Sequence, residues 1–290
     1  MQYTPNLYTG KHFSQIFSEI VYSTKTLEKN LVRLMDNVKW EQHVTTMGGD
    51  LTVQPYKSRL AETDSQGTIE FSDVTVKPVK SMVYKEFTLE DLRGTRFTED
   101  MKAGAANLES NEFLSAVLAY MQPKIALGAE KSFWAAIKTE LNDVASVATK
   151  LTGVALTQDN IDEEITKVYN AIDDEILING DVVIYADYSI KKLIVNNNTS
   201  QAYRDKFIVN ADSVSYQGVT IEFLPLGANT MIAGRSSDFV WATDLAADMG
   251  SLQVEKVQAN SDVIFFKGVF TQDQAVIIPE QKVIYSYTAV

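Results

Sequence analysis

The side chains able to do chemistry are few in this sequence, and their spacing works against most reactions. The two histidines, His12 and His43, lie far apart in the N-terminal part of the chain, with no helical spacing to bring two imidazoles onto one metal. The absence of cysteine excludes disulfides, thiolate zinc sites, iron–sulfur clusters and cysteine nucleophiles. No two glycines are separated by a single residue, so neither a dinucleotide fingerprint nor a kinase glycine loop is present. Gly10-Lys11 lacks the preceding glycine and following hydroxyl residue of a phosphate-binding loop. Carboxylates cluster at Asp162-Glu163-Glu164 and again at Asp173-Asp174-Glu175. Their oxygens suit a hard cation, but no Asp-x-Asp-x-Asp-Gly loop accompanies them, and adjacent residues on a helix point in different directions. They read as a solvated helix face, with a cation site as the alternative. Asn197-Asn198-Thr199-Ser200 matches a glycosylation acceptor formally and reads as a turn. This inventory contains no active site. The chain is expected not to be an enzyme and to need no cofactor or metal.

Composition narrows the class further. A chain of 290 residues, 45% hydrophobic and 22% charged, suits one large domain or two modest ones. The longest unbroken apolar run, Ala116 to Met121, falls far short of the roughly 20 residues of a membrane span. The first thirty residues lack the apolar core of a signal peptide. The net charge of −12 is unevenly spread: residues 151–250 hold 6 basic and 15 acidic side chains, a net −9. Phosphate binding works through basic side chains that release counterions, so sequence-specific nucleic-acid binding is not expected.

The elements that would position these residues follow from periodicity. Phe13, Ile16, Phe17, Ile20, Leu27, Leu31 and Leu34 recur at helical spacing and predict an amphipathic N-terminal helix. Leu51–Gln54, then Ile69–Phe71 and Val74–Val76 as far as Val83, alternate about a polar turn and predict a long hairpin. Its tip is Thr63, Asp64, Ser65, Gln66 and Gly67. Pro55 and Pro78 demote its strands to edge positions, and a lone hairpin is marginal in water, so it needs a surface to lie on. The strongest helix runs from about Ser110 to Val147 on the stripe Leu114, Val117, Leu118, Met121, Ile125, Ala129, Ile137 and Leu141. It would be about 57 Å long. Pro123 interrupts its hydrogen-bond ladder, and Gly128 weakens the next turn. An acidic helix is expected over Thr157–Leu177, a buried strand over Asp181–Tyr185 and a short helix over Tyr188–Val195. Strands are expected over 218–223, 230–233, 251–257, 263–270 and 275–278, with another over 282–287.

This order of elements resembles the major capsid proteins of tailed bacteriophages, the Hong Kong ninety-seven type. Three local patterns carry the resemblance. Tyr84-Lys85-Glu86-Phe87-Thr88-Leu89-Glu90-Asp91-Leu92 looks like the family's passage from hairpin to peripheral domain. Gly180-Asp181-Val182-Val183-Ile184-Tyr185-Ala186-Asp187 looks like its axial-domain strand. Tyr216-Gln217-Gly218-Val219-Thr220-Ile221, then Met231-Ile232-Ala233-Gly234 and Trp241-Ala242-Thr243-Asp244-Leu245, look like its small loop, strand and return passage.

The resemblance implies an α+β capsid fold with defined parts: an N-terminal arm (1–45), an extended hairpin loop (46–88), a peripheral domain with its spine helix (89–150), an axial domain (151–248) and returning strands of the peripheral domain (249–290). It implies pentamers and hexamers of this chain closing an icosahedral or prolate head around viral DNA, in the virion, after assembly in the host bacterial cytoplasm. The short arm implies a separate scaffolding protein, with portal and decoration proteins as further partners. The hairpin tip would lie on a neighbouring subunit. Lys57 is a loop lysine of the kind some relatives crosslink to asparagine, with no partner assignable here. The spine helix would bend at Pro123 and Gly128. An encapsulin-type nanocompartment shell shares fold and length and is the first alternative, ahead of another phage structural protein or a soluble enzyme.

Overall fold

The computed structural model describes residues 24–59, 61, 64–88, 111–199, 207–209, 213–244, 253–257 and 263–287. In chain order, its first elements are α1 (Lys25–Glu28), β1 (Arg33–Met35), β2 (Gln42–Asp50), β3 (Thr68–Val76) and β4 (Val79–Thr88). Next come α2 (Asn111–Asn142), β5 (Thr149–Thr152), α3 (Ile161–Asn170), α4 (Asp174–Asn179), β6 (Val182–Asp187) and α5 (Tyr188–Thr199). The strands β7 (Phe207–Val209), β8 (Ser213–Tyr216), β9 (Val219–Leu224), β10 (Thr230–Arg235) and β11 (Phe239–Ala242) follow. The chain then returns through β12 (Gln253–Lys256), β13 (Val263–Val276) and β14 (Val283–Ser286).

Strands apolar at every position need cover on both faces. β6, β9, β10 and β14, apolar and buried over most of their length, form the middle of a seven-stranded mixed sheet, ordered β5-β14-β10-β6-β9-β8-β7. Successive side chains then point to opposite faces. Tyr185, Ile232 and Ile284 turn toward α2, while Ile184, Ala186, Met231, Ala233 and Val283 turn toward Ile161 and Ile165 of α3 and Ile190 and Ile194 of α5. The β8–β9 turn places Gln217 and Gly218 at φ 49° and 88°. Such a two-residue turn matches the twist of its strands only with both residues left-handed, which explains the glycine.

The second sheet has five strands, β1-β11-β13-β12, with β4 pairing the free side of β13. β13 is its axis, paired with β4 over Val263–Gln272, with β12 over Ile264–Lys267 and with β11 over Asp273–Val276. Helix α2 joins the two sheets: Phe133 stacks on Trp241 at 4.3 Å, and Trp134 meets Tyr185 at 4.9 Å and Phe239 at 5.9 Å. These aromatic faces bury large apolar areas at the junction, each fully buried side chain contributing about 1.5–3 kcal/mol. The remaining strands, β2 and β3, form a separate two-stranded ladder.

Several local expectations change in the structure. Among the described residues of the expected N-terminal helix, Lys25–Glu28 is helical, and Arg33–Met35 pairs with Val240–Ala242 of β11, which pulls Leu34 into a strand. Residues 1–23 of that stripe lie outside the described residues. Leu51–Gln54 is irregular; the ladder runs from Gln42 to Asp50 against Thr68 to Val76. β4 leaves the hairpin for β13, since alternation does not specify a partner. The stretches 263–270 and 275–278 merge into one strand that ends at Val276, and 282–287 contributes β14 to the seven-stranded sheet rather than to the five-stranded one. The acidic helix divides at Ala171–Asp173, where Asp173 caps α4 by accepting a hydrogen bond from the Glu175 amide at 3.0 Å. Asn197 lies in α5 rather than a turn, its side-chain amide donating to the Gln158 carbonyl at 2.6 Å.

Candidate assembly surface

The two faces of the β2–β3 ladder have opposite characters. On one face, Val44, Val74 and Val76 close a small cluster with Val38, Val240, Ala242, Ala275 and Ile277, which roots the hairpin on the five-stranded sheet. Lys77, at the corner after β3, donates its amide to Asp273 at 2.6 Å. On the other face, Met47 lies directly across from Phe71, and Gly49 from Ile69. Phe71 is 71% exposed, Met47 67% and Ile69 58%. The connecting loop adds Leu51, Val53 and Tyr56, all exposed. Lone exposed apolar residues need no explanation, but a run along one strand pair marks a surface meant to be covered.

The loop at the hairpin's end holds its own polar contacts. Asp64 pairs with Lys57 and accepts from the Ala61 amide at 3.0 Å, while its carbonyl accepts from the Gln54 side chain at 2.7 Å. The Lys57 ammonium beside Asp64 holds its carboxyl below the usual range. Ser65, Gln66 and Gly67 are exposed; Thr63 lies outside the described residues.

In α2, Pro123 and Gly128 are both exposed and one turn and a half apart, while Ile125, Ala126, Ala129 and Glu130 turn inward. No atom lies within 4 Å of where a Gly128 side chain would begin. Gly128→Ala is therefore expected to stabilise the subunit by about 1 kcal/mol, through helix preference alone. Equilibrium denaturation should read this as a higher midpoint at unchanged slope.

The junction also carries three buried charged side chains, Glu130, Asp238 and Lys282. Glu130 accepts from the Thr26 amide at 2.9 Å and from the Thr26 hydroxyl, which in turn accepts from Trp134 Nε1 at 3.0 Å. Lys282 is fully buried; its Nζ lies 2.7 Å from Asp238 Oδ2 and donates to the Ile278 carbonyl at 3.1 Å. Burial pushes the Lys282 ammonium down, against the opposing pull of Asp238. Its stem crosses Gly234 so closely that a Cβ there would sit 2.5 Å from Lys282 Cδ. Only glycine leaves room for it.

No family model matches the sequence, and no curated protein matches it either. Solved structures do match in fold. The satellite phage P4 procapsid with its size determination protein matches at TM-score 0.62 and 10% identity, over 99% of this chain and 93% of that one. The capsid of an empty GTA particle matches at 0.58 and 12%, over 100% and 95%. The cyanophage P-SCSP1u capsid matches at 0.57 and 11%, over 100% and 93%. The chain has the phage capsid fold.

The long helix expected from about Ser110 to Val147 is α2, which ends at Asn142. The acidic clusters are a correction. Asp162 and Glu164 are buried rather than solvated, because the inward stripe Ile161, Ile165 and Val168 carries the intervening positions with it. Glu164 accepts from Lys167 at 2.6 Å. Glu163, Asp173, Asp174 and Glu175 are exposed. Among the described residues, no three His, Cys, Asp or Glu side chains converge as metal ligands. His43 is exposed and hydrogen-bonded to the Thr75 hydroxyl at 3.0 Å; His12 lies outside the described residues. Glu130, Lys282 and Glu140 were missed from sequence, since isolated charged residues carry no periodic signal.

Glu140, near the end of α2, accepts from the Val276 amide at 3.2 Å. Burial, with Asp273 nearby, raises its carboxyl to about 6. A raised carboxylate makes the fold more stable below the ordinary value near 4.5, and that stability is lost as pH rises through about 6. After allowing for partial exposure, the loss is about 1 kcal/mol. Glu140→Gln keeps the acceptor and removes the charge. It is expected to raise stability at pH 7 and flatten the slope between pH 4.5 and 6, as read by denaturation at each pH.

Proposed function

We propose that the protein is a shell subunit that self-assembles through pentamers and hexamers into a closed head around viral DNA, without catalysis. The carrying observation is the apolar outer face of the β2–β3 hairpin, rooted at its base and uncovered along its length, in a chain with the capsid fold. Covering that face on a neighbour repeats head to tail around a ring, and such heterologous contacts close into symmetric assemblies. The tip from Asp64 to Gly67, with Thr63, is the part that reaches over the neighbour. In this reading the hairpin loop spans about 46–88, residues 89–150 with 249–290 form the peripheral body, and 151–248 form the axial body. Pro123 and Gly128 mark where the spine helix bends as the shell changes size. A separate scaffold, a portal and decoration proteins complete the partners; assembly takes place in the host cytoplasm and the product is the virion capsid. DNA is enclosed without sequence-specific contacts.

A virus-like particle from Pyrococcus furiosus shares the fold at TM-score 0.53 and 11% identity, over 98% of this chain and 100% of that one. It supports a second reading, a nanocompartment shell that holds protein rather than DNA. Negative-stain imaging of the purified full-length chain should show closed shells or ring-shaped capsomers. A strict monomer at high concentration would refute both readings. DNA recovered from native particles separates the first from the second.

Salt should promote this assembly. Residues 151–250 carry a net −9, and where these bodies converge their repulsion is screened over roughly 8–10 Å at ordinary ionic strength. Light scattering should show faster capsomer formation with added salt. Faster assembly at low salt would mean that these carboxylates are paired with basic groups across the interface.

A further inference from the structure

We propose that residues 24–35 form a latch that holds the spine helix on its present course, and that releasing this latch lets α2 shift at the Pro123–Gly128 turn. The inference stands on the subunit alone and does not depend on the shell reading.

This short segment is tied to every major body of the fold. Thr26 meets Glu130 and Trp134 on α2. Lys29 pairs with Glu222 of β9 at 2.6 Å. The Leu31 carbonyl accepts from the Tyr185 hydroxyl of β6 at 2.6 Å. Met35 accepts from the Thr243 amide at 2.9 Å, beside the parallel pairing of β1 with β11. One strap thus fastens the helix to both sheets.

The bond to α2 cannot open without consequence. Thr26 and Trp134 are fully buried and Glu130 nearly so. Among the described residues, both hydrogen bonds to the Glu130 side chain come from Thr26. If Thr26 withdraws, a carboxylate is stranded in an apolar interior, where an unpaired charge is strongly disfavoured. The helix must then move until Glu130 reaches water. The cheapest place to deform lies immediately before it: Pro123 supplies no amide to the ladder, and Gly128 has the weakest helix preference short of proline. Both are exposed, so no side-chain packing at either position resists the change.

Hydrogen exchange read by mass spectrometry on the full-length protein tests this. Thr26→Val removes the hydroxyl and keeps the shape. Amides of α2 between Lys124 and Phe133 are expected to exchange about tenfold faster, while those of β6 stay at the wild-type rate. Thr26→Ser, which keeps the hydroxyl, should restore protection. Lys29→Met breaks a partly exposed anchor and serves if Thr26→Val does not fold; it should loosen residues 24–35 and, to a smaller degree, the same stretch of α2. Faster exchange in residues 24–35 with α2 unchanged in both variants would overturn the latch. So would equal acceleration in α2 and β6, which is ordinary global destabilisation.

Discussion

Replacing Met47 and Phe71 with serine is expected to leave the subunit folded and to abolish closed particles. The two side chains face each other across the ladder on the side away from the rooted valines, so the subunit loses little by their removal. In an assembly that covers this face, each contributes about 1.5–3 kcal/mol on burial. Losing both weakens each subunit contact by roughly a hundredfold or more, since about 1.4 kcal/mol is a factor of ten. The deficit recurs at every contact around a ring. Circular dichroism should show an unchanged melting temperature, while negative-stain counts of closed particles fall to background. Shortening the tip between Ala61 and Thr68 to a tight turn should act in the same direction. Normal particle yield from the double serine variant would exclude this face from the interface, and a collapsed circular dichroism spectrum would place the hairpin in the subunit core.

The second large effect is on stability. Lys282→Met keeps the stem that crosses Gly234 but removes the ammonium that faces Asp238. Asp238 is itself buried and would be left with an uncompensated charge. Breaking a buried pair on one side costs about 3–5 kcal/mol, far more than the pair contributes when whole. For a chain of this size that lowers the melting temperature by roughly 10 °C. Adding Asp238→Asn to Lys282→Met removes the stranded charge and should recover part of the loss. Scanning calorimetry of the wild type and both variants provides the measurement. A single variant that melts within about 2 °C of wild type would mean that water already reaches Asp238.

The parts of the fold legible beforehand were those in which one segment's own period decided the outcome. The stripe from Ile125 to Leu141 marked α2 and its inward face, and Ala129, Ile137 and Leu141 are buried in the core that α2 shares with the sheets. The strand expected over 218–223 is β9, which begins one residue later, at Val219, because Gln217 and Gly218 occupy the two left-handed positions of a tight turn. Where period and pairing compete, pairing wins. Leu27, Leu31 and Leu34 keep helical spacing, yet Leu34 sits in β1 because β11 offers a strand edge. Thr271-Gln272-Asp273-Gln274 reads as a polar turn, yet β13 runs straight through it because β4 and β11 pair with successive parts of it.

The sequence by itself therefore determined the long helix and several of the strands, and the order of its elements carried the resemblance from which the class of fold was expected. The helix and those strands rest on local spacing. Only the tertiary structure decided which strands share a sheet, which acids are buried, and that Glu130, Asp238 and Lys282 lie at the junction of the two sheets. The physical reason is common to all three. Periodicity records which side of a segment avoids water, but the partner that covers that side, or neutralises a buried charge on it, comes from a distant part of the chain: Thr26 lies 104 residues from Glu130, and Asp238 lies 44 from Lys282.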